Sequence, residues 1–197
     1  MEKIRAFIAI ELSDPIKASL SSLITKLRSK EPHSAKYVKW VDPKGIHLTL
    51  KFLGNVAPDQ VPLIIETITP SAQSLSPLKL RLGILGVFPN LQRPRVIWVA
   101  VTGEVKPLIT LQRDIDQALA PLGFPHEGRS FSPHLTLGRL REQATPMERS
   151  SIGSLISATE FEGGPTLEVD QICLMRSTLT PSGAIYNRLA SIELHSG

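Results

Sequence analysis

Apolar positions along the chain switch between continuous runs, typical of strands, and spacings of three and four, typical of helices. Residues 5–12 form an apolar run of strand length, and Ser13-Asp14-Pro15 after it is typical of a helix start. Apolar residues then recur along one helical face through about Lys30. The chain is therefore predicted to open with a strand followed by a helix.

This order continues through the first half of the chain and is repeated in the second. After an extended segment at 37–41, the pattern predicts strands at 46–53, 78–88, 96–101, 131–140 and 167–175, and helices at 58–69, 105–119 and 146–158. A further strand is expected in the tail at 184–194. Strand, helix, strand, helix, strand thus occurs twice.

The two halves share a tetrapeptide, His47-Leu48-Thr49-Leu50 and His134-Leu135-Thr136-Leu137. The histidines precede Pro77 and Pro165 by 30 and 31 residues respectively, so the spacing around the motifs also matches. A duplicated unit tends to pack about a pseudo-two-fold axis. We predict an α+β fold of two similar lobes, each an antiparallel-type sheet with helices on its outer face, and an active-site cleft between them.

The chain is predicted to form a single two-lobed domain over residues 1–197, built from the two repeats. The first is predicted at about 4–89 and the second at about 95–176, with a strand-like tail to 194. Pro, Asn, Gln and Arg interrupt the apolar pattern between Pro89 and Pro94, where the boundary between lobes is expected.

Each motif carries a histidine and a threonine on one face of its strand, because successive side chains in a strand point to opposite faces. Two imidazoles can supply an acid and a base to one reaction. Zinc sites usually need three or four His, Cys or carboxylate ligands, and threonine is a poor one. Threonine hydroxyls instead donate hydrogen bonds to phosphoryl oxygens, so the pattern favours phosphate chemistry over a metal site.

Composition narrows the class of protein further. The chain has 197 residues and a formal charge of +4, with its cations scattered rather than clustered, which favours a small anion or a short RNA end over a DNA duplex. Its single cysteine, Cys173, lies in an apolar run and is predicted to be a small buried side chain in a reducing compartment. The first apolar run is too short for a signal peptide or a membrane span, so a soluble cytoplasmic protein is predicted.

The motifs and the stretches around them, residues 5–10, 45–54 and 131–139, resemble the two-histidine phosphoesterase superfamily. Within it the chain is similar to the RNA 2′,3′-cyclic phosphodiesterases, also called 2′-5′ RNA ligases. The resemblance implies two lobes related by a pseudo-dyad, with the motifs lining the cleft. It also implies hydrolysis of 2′,3′-cyclic phosphate ends to 2′-phosphomonoesters, with no metal or organic cofactor.

By the same resemblance, His47 is the proton donor to the leaving ribose oxygen and His134 the proton acceptor that activates water. The residues alone leave these two roles open. Thr49 and Thr136 are predicted to bind the substrate phosphate. The expected partners are RNA 3′ ends or nucleotides with a cyclic phosphate, with no DNA and no membrane, and the protein is expected to act as a monomer.

Other residues are secondary candidates. Lys51 and Arg139 are candidate phosphate contacts. Lys51 shares the His47 face by strict alternation, whereas Arg139 reaches the His134 face only if a bulge intervenes. Trp40 and Phe88 are candidate base-stacking platforms. The remaining histidines lack a threonine two residues on and are predicted to be solvated: His33, His126 and His195.

Two alternatives to hydrolysis remain open at this point. The same site could join RNA halves through a 2′-5′ bond, which requires a second RNA with a free 5′-hydroxyl. The chain could also be an RNA-end-binding module without turnover, although both motifs are intact.

Overall fold

A computed structural model describes residues 3–181 and 183–195. Within them the helices are α1 (Asp14–Lys30), α2 (Gln60–Gln73), α3 (Val105–Leu119) and α4 (Pro146–Ser157). The strands are β1 (Ile4–Glu11), β2 (Val38–Trp40), β3 (His47–Val56), β4 (Leu78–Phe88), β5 (Val96–Gly103), β6 (His134–Leu140), β7 (Leu167–Val169), β8 (Gln171–Thr180) and β9 (Gly183–Glu193). No helix in these ranges is long and apolar enough to cross a membrane.

The strands form two antiparallel sheets. The first sheet has the order β3-β1-β8-β9, and the second has the order β2-β6-β5-β4-β7. Each motif strand thus has an equivalent neighbour, β1 beside β3 and β5 beside β6. The predicted α+β fold of two lobes is confirmed.

The lobes do not coincide with the sequence repeats, because the two repeats exchange strands. β4 ends the first repeat but pairs with β5 and β7 in the second sheet, and β8 ends the second repeat but pairs with β1 in the first sheet. The predicted lobe boundary at Pro89–Pro94 is therefore wrong, since this segment connects β4 and β5 within one sheet.

The apolar run predicted as one strand at 167–175 is two strands in different sheets. β7 pairs with β4, and after Asp170 the chain crosses to the first sheet as β8. Val169 and Ile172, on either side of the crossing, are buried, and only the polar pair Asp170-Gln171 interrupts the apolar run between them. An apolar pattern shows that a segment is buried, but it does not show which sheet the segment joins.

The main core lies between the helices and the sheet faces opposite the motif side chains. Leu48 and Leu50 point into it, as do Leu135 and Leu137. A second, smaller apolar cluster lies on the other face of the first sheet, where Phe7 and Ala9 of β1 pack with Cys173 and Met175 of β8. β1 is thus covered on both faces, which explains why it reads as a continuous apolar run.

Cys173 is buried, as predicted. Burial, together with the nearby Glu11 carboxylate, raises the pKa of its thiol to about 11. The side chain therefore remains a neutral thiol near pH 7 and acts as packing volume.

A substitution at Gly153 tests how closely α4 packs against the segment that joins β4 to β5. A Cβ at this position would overlap the backbone oxygen of Leu91, and backbone cannot move aside as a flexible side chain can. We expect Gly153→Ala to lower the free energy of unfolding by about 1–3 kcal/mol, measured by urea denaturation. Gly128→Ala is the control, because nothing lies within 4 Å of its added Cβ; equal stabilities for the two variants would contradict this packing.

Candidate active site

The two motif histidines occupy equivalent places at the start of their strands. His47 opens β3 and pairs with Glu11 of β1, while His134 opens β6 and pairs with Ala100 of β5. β3 and β6 approach each other where the two lobes meet. The two sheets therefore meet at the strands that carry the motifs, and a site shared by both motifs would be built from both sheets.

Both imidazoles are held by the same local hydrogen bond. Nδ1 of His47 lies 2.8 Å from the carbonyl oxygen of Gly45, and Nδ1 of His134 lies 2.7 Å from that of Ser132. A carbonyl oxygen only accepts, so each Nδ1 carries the hydrogen and donates. Nε2 is then the nitrogen of each ring that exchanges a proton with a substrate.

Thr49 and Thr136 lie on the same strand faces as their histidines, as alternation predicts. Both are half-buried, between leucines that point into the core. Their cross-strand neighbours on the motif face are Ala9 and Trp98. The two hydroxyls therefore lie beside the two imidazoles and can donate to an anion bound there.

A β-bulge interrupts each motif strand directly after its threonine. The pairing of β3 with β1 shifts between Thr49 and Lys51, and the pairing of β6 with β5 shifts between Thr136 and Gly138. Each extra residue reverses the alternation. Phe52 and Arg139, five positions after their histidines, are consequently returned to the motif face, and both are exposed.

The bulge also overturns the prediction for Lys51. Its side chain turns away from His47 into the interior, is only 2 % exposed, and donates to Asp116 and to the carbonyl oxygen of Pro125. Lys51 is therefore not a phosphate contact. In the second motif the equivalent residue is Gly138, against which Val38 and Trp40 pack.

The prediction for Trp40 is also wrong. Trp40 pairs with Gly138, on the face opposite His134, and packs against the core. Its indole Nε1 donates to Ser34 Oγ at 3.3 Å. This ring cannot serve as a stacking platform in the cleft.

Aromatic rings surround both histidines. The ring centroid of His47 lies 4.6 Å from that of Phe7 and 4.8 Å from that of Tyr186, which meets it edge-on. The second histidine has a matching pair, with His134 5.1 Å from Phe88 and 6.4 Å from Trp98. Phe88 therefore lies at the site, as a base-stacking residue would need to.

Besides Phe7 and Trp98, sequence reasoning missed site residues that come from strands without a motif. Glu11 is the cross-strand neighbour of His47, and its Oε2 binds Nη2 of Arg188. Arg188 and Tyr186 lie on β9, at the far edge of the sheet, and reach back across β8. The only sequence signal was their spacing of two in the predicted tail strand, which places both on one face.

Burial lowers the pKa of His47 below the ordinary imidazole value, and it outweighs the hydrogen bond to Gly45 and the charge of Glu11, which both act to raise it. The aromatic neighbours explain the burial. His47 is therefore neutral over a wider pH range than a solvated imidazole.

The three histidines outside the motifs differ in their surroundings. His33 and His195 are exposed, as predicted. His126 is exposed along most of its ring but is not simply solvated, since its Nδ1 lies 2.7 Å from Oδ2 of Asp116. Across residues 3–181 and 183–195, no three His, Cys, Asp or Glu side chains are grouped so as to hold a metal ion.

In a two-lobed α+β protein, two imidazoles and two hydroxyls arranged in this way can supply acid–base chemistry on a phosphate. The family model of the 2′-5′ RNA ligase superfamily matches residues 14–180. The chain is also 31% identical over 192 residues to an RNA 2′,3′-cyclic phosphodiesterase of Methanothermobacter thermautotrophicus, covering 98% of this chain and 100% of the relative. A Methanocaldococcus jannaschii protein of the same name is 32% identical over 185 residues, covering 92% and 96% of the two chains. The chain therefore belongs to the 2′-5′ RNA ligase superfamily, and the predicted resemblance is confirmed.

Solved structures show the same fold. The protein TT0787 of Thermus thermophilus superposes with a TM-score of 0.75 at 28% identity, covering 96% of this chain and 97% of that one. Escherichia coli LigT complexed with 3′-AMP gives a TM-score of 0.74 at 24% identity, covering 99% and 100%. The two-lobed architecture extends over almost the whole chain.

The lowered pKa of His47 has a direct test. In an NMR titration of the imidazole signals we expect His47 to titrate below about 6.5, and Tyr186→Ala to raise its midpoint by letting water reach the ring. Because the unfolded chain then binds the proton more tightly than the folded protein, the contribution of His47 to stability is complete above about pH 6.5 and declines below it. A His47 midpoint at or above about 6.5 in the unmodified protein would contradict the burial argument.

Proposed function

We propose that the protein hydrolyses 2′,3′-cyclic phosphate ends of RNA or nucleotides to 2′-phosphomonoesters by paired-histidine acid–base catalysis. The observation that carries this proposal is the equivalence of His47 and His134, each with Nδ1 donating to a carbonyl oxygen and Nε2 left for the substrate. The names of its relatives in two archaea support the substrate class. DNA lacks the 2′-oxygen that closes such a ring, so the substrate is a ribonucleotide.

The reaction requires one proton to be taken and one to be given. His134 Nε2 accepts a proton from water as the water oxygen attacks phosphorus. The bond between phosphorus and the ribose 3′-oxygen breaks, and His47 Nε2 gives its proton to that oxygen. Thr49 and Thr136 donate to the non-bridging oxygens, where negative charge accumulates. The assignment of donor and acceptor follows the family resemblance.

A lowered pKa lets His47 act as the proton donor but reduces the fraction of molecules in which His47 is protonated. A more acidic imidazolium transfers its proton to the leaving oxygen more readily, but a smaller fraction of the protein holds that proton near neutral pH. Glu11, paired beside His47, acts to raise the pKa and so supports the protonated form.

Exposed side chains on the motif faces supply contacts for an RNA strand. Arg139 is paired with Lys39 of β2, so two cations lie together beyond Thr136 on the second sheet and can bind backbone phosphates. Phe88 next to His134, and Phe52, which is 59% exposed beyond Thr49, present rings on which bases stack. The free Cys173 fits a reducing compartment, which supports action in the cytoplasm.

Removing either imidazole tests the mechanism. With a nucleoside 2′,3′-cyclic phosphate in excess EDTA, we expect His47→Ala and His134→Ala each to lower kcat by about 10²- to 10⁴-fold, because each proton transfer contributes on that order. Phosphorus NMR identifies the 2′-phosphomonoester. His33→Ala, at an exposed histidine outside both motifs, should retain full activity. Full activity in either motif variant, or loss of activity in EDTA, would refute the proposal.

A leaving group that needs no proton separates the two roles. On a p-nitrophenyl phosphodiester, whose leaving group departs as an anion, we expect His47→Ala to lose much less activity than on the cyclic phosphate, because the proton donor is no longer required. His134→Ala should lose activity on both substrates, since water must still be activated. The opposite pattern would exchange the roles of the two histidines.

A further inference from the structure

Lys51 belongs to a buried cluster that the proposed reaction does not use. Its ammonium donates to Oδ1 of Asp116 and, at 2.8 Å, to the carbonyl oxygen of Pro125. Oδ2 of the same carboxylate accepts from Nδ1 of His126 at 2.7 Å, and Oδ1 also accepts from the backbone N–H of Glu127 at 3.3 Å. Burial alone would raise the pKa of Asp116, but the hydrogen bonds from Lys51 and His126 hold it below its usual range, so this carboxyl is ionised near neutral pH.

This cluster connects the interior face of β3 to α3 and to the segment that precedes β6. Lys51 lies four residues after His47 on β3, whereas Asp116 lies on α3, in the second repeat. Pro125 and Glu127 open the irregular segment that runs from α3 to β6 and ends at Ser132, the residue whose carbonyl holds His134. One ammonium thus bonds both to a helix of the second repeat and to the start of the segment that leads into the second histidine.

The chain between Gly123 and His134 has little other regular support. It contains no helix or strand, and its far end is held by the hydrogen bond from Val101 N–H to the carbonyl oxygen of Pro133. Its near end is held by the Lys51–Asp116 cluster together with Phe124, which is buried in the core and whose N–H donates to the carbonyl oxygen of Leu119. A buried ion pair has a defined geometry, and losing one partner leaves the other charge unpaired in the interior.

We propose that Lys51, paired with Asp116, is a positioning residue that holds the segment leading into His134 against the strand that carries His47, and so sets the separation of the two imidazoles. This inference rests on the proposed catalytic roles of the two histidines. It also explains the asymmetry of the motifs. The position after the bulge holds a lysine that binds α3 in the first motif, and in the second a glycine against which β2 packs closely.

The test compares a single and a double variant. Lys51→Met leaves Asp116 without its cation, and Lys51→Met with Asp116→Leu removes both charges while keeping similar side-chain volume, so the double variant folds. We expect both to lower kcat on a nucleoside cyclic phosphate by about 10- to 100-fold, with KM changed by less than about threefold, because small displacements of catalytic groups reduce rate more than binding. The NMR signals of the His134 imidazole should shift as well, although Lys51 is not in contact with it.

Ser151→Ala is the matched control. Ser151 on α4 donates to Glu31 at the end of α1, another polar link between the two halves, and it lies outside the site. This variant should keep its kcat, and the His134 signals should stay in place. Assays are run well below the melting temperature of each variant, so that unfolded protein does not lower the rate.

The outcomes separate the inference from the proposed function. If Lys51→Met does not fold, the kcat and the His134 signals of the double variant test the positioning role. A double variant with kcat within about twofold of the parent and unmoved His134 signals would overturn the positioning role, as would an equal loss in Ser151→Ala. If the parent protein itself does not hydrolyse the cyclic phosphate, the proposed function fails. The His134 signals then decide the positioning role without an activity measurement.

Discussion

The β-bulge after each His-Leu-Thr-Leu motif determines which side chains form the site and which support it. Without the bulge, strict alternation would direct Lys51 into the cleft and Arg139 away from it. With one extra residue in each strand, Lys51 turns into the interior and Phe52 and Arg139 return to the motif face. The same backbone irregularity therefore produces an aromatic position on one sheet, a cationic position on the other, and a buried ammonium that reaches α3. Bulges are common next to active sites because they redirect side chains in this way.

Strand exchange and a shared core explain why the two sheets behave as one domain. Each repeat gives its last long strand to the other repeat's sheet, with β4 in the second sheet and β8 in the first. Neither sheet is complete without the other half of the chain, so the lobes cannot separate as independent units. A cleft between such lobes keeps its shape, which is what catalysis by two groups on different sheets requires.

The sequence predicted the helices and most strands because both depend on local periodicity. The apolar spacing of α1, α3 and α4 and the run of β1 follow directly from which residues are buried. Periodicity failed where a strand changed phase, at Lys51, and where an apolar run changed sheet, at Asp170. Neither event has a local signature, because a bulge is specified by the partner strand and a crossing by the sheet that receives it.

The residues of the candidate site were likewise predictable only where local periodicity placed them. The motif residues were predictable, since a histidine and a threonine two positions apart share a face in any strand, and their repetition implied a common cleft. Glu11, Tyr186 and Arg188 were not, because they reach His47 from β1 and from an edge strand that lies far along the chain.

By itself the sequence determined the elements, the paired chemistry and the family to which the chain belongs. Only the tertiary structure decided that Lys51 is internal, that Trp40 packs against the core, and that Tyr186 of β9 contacts His47. The physical reason is the distance along the chain over which each feature is set. Side-chain periodicity is local and shows which residues of a segment are buried. The partners of a buried charge or an aromatic ring depend on how segments that are far apart in sequence pack together.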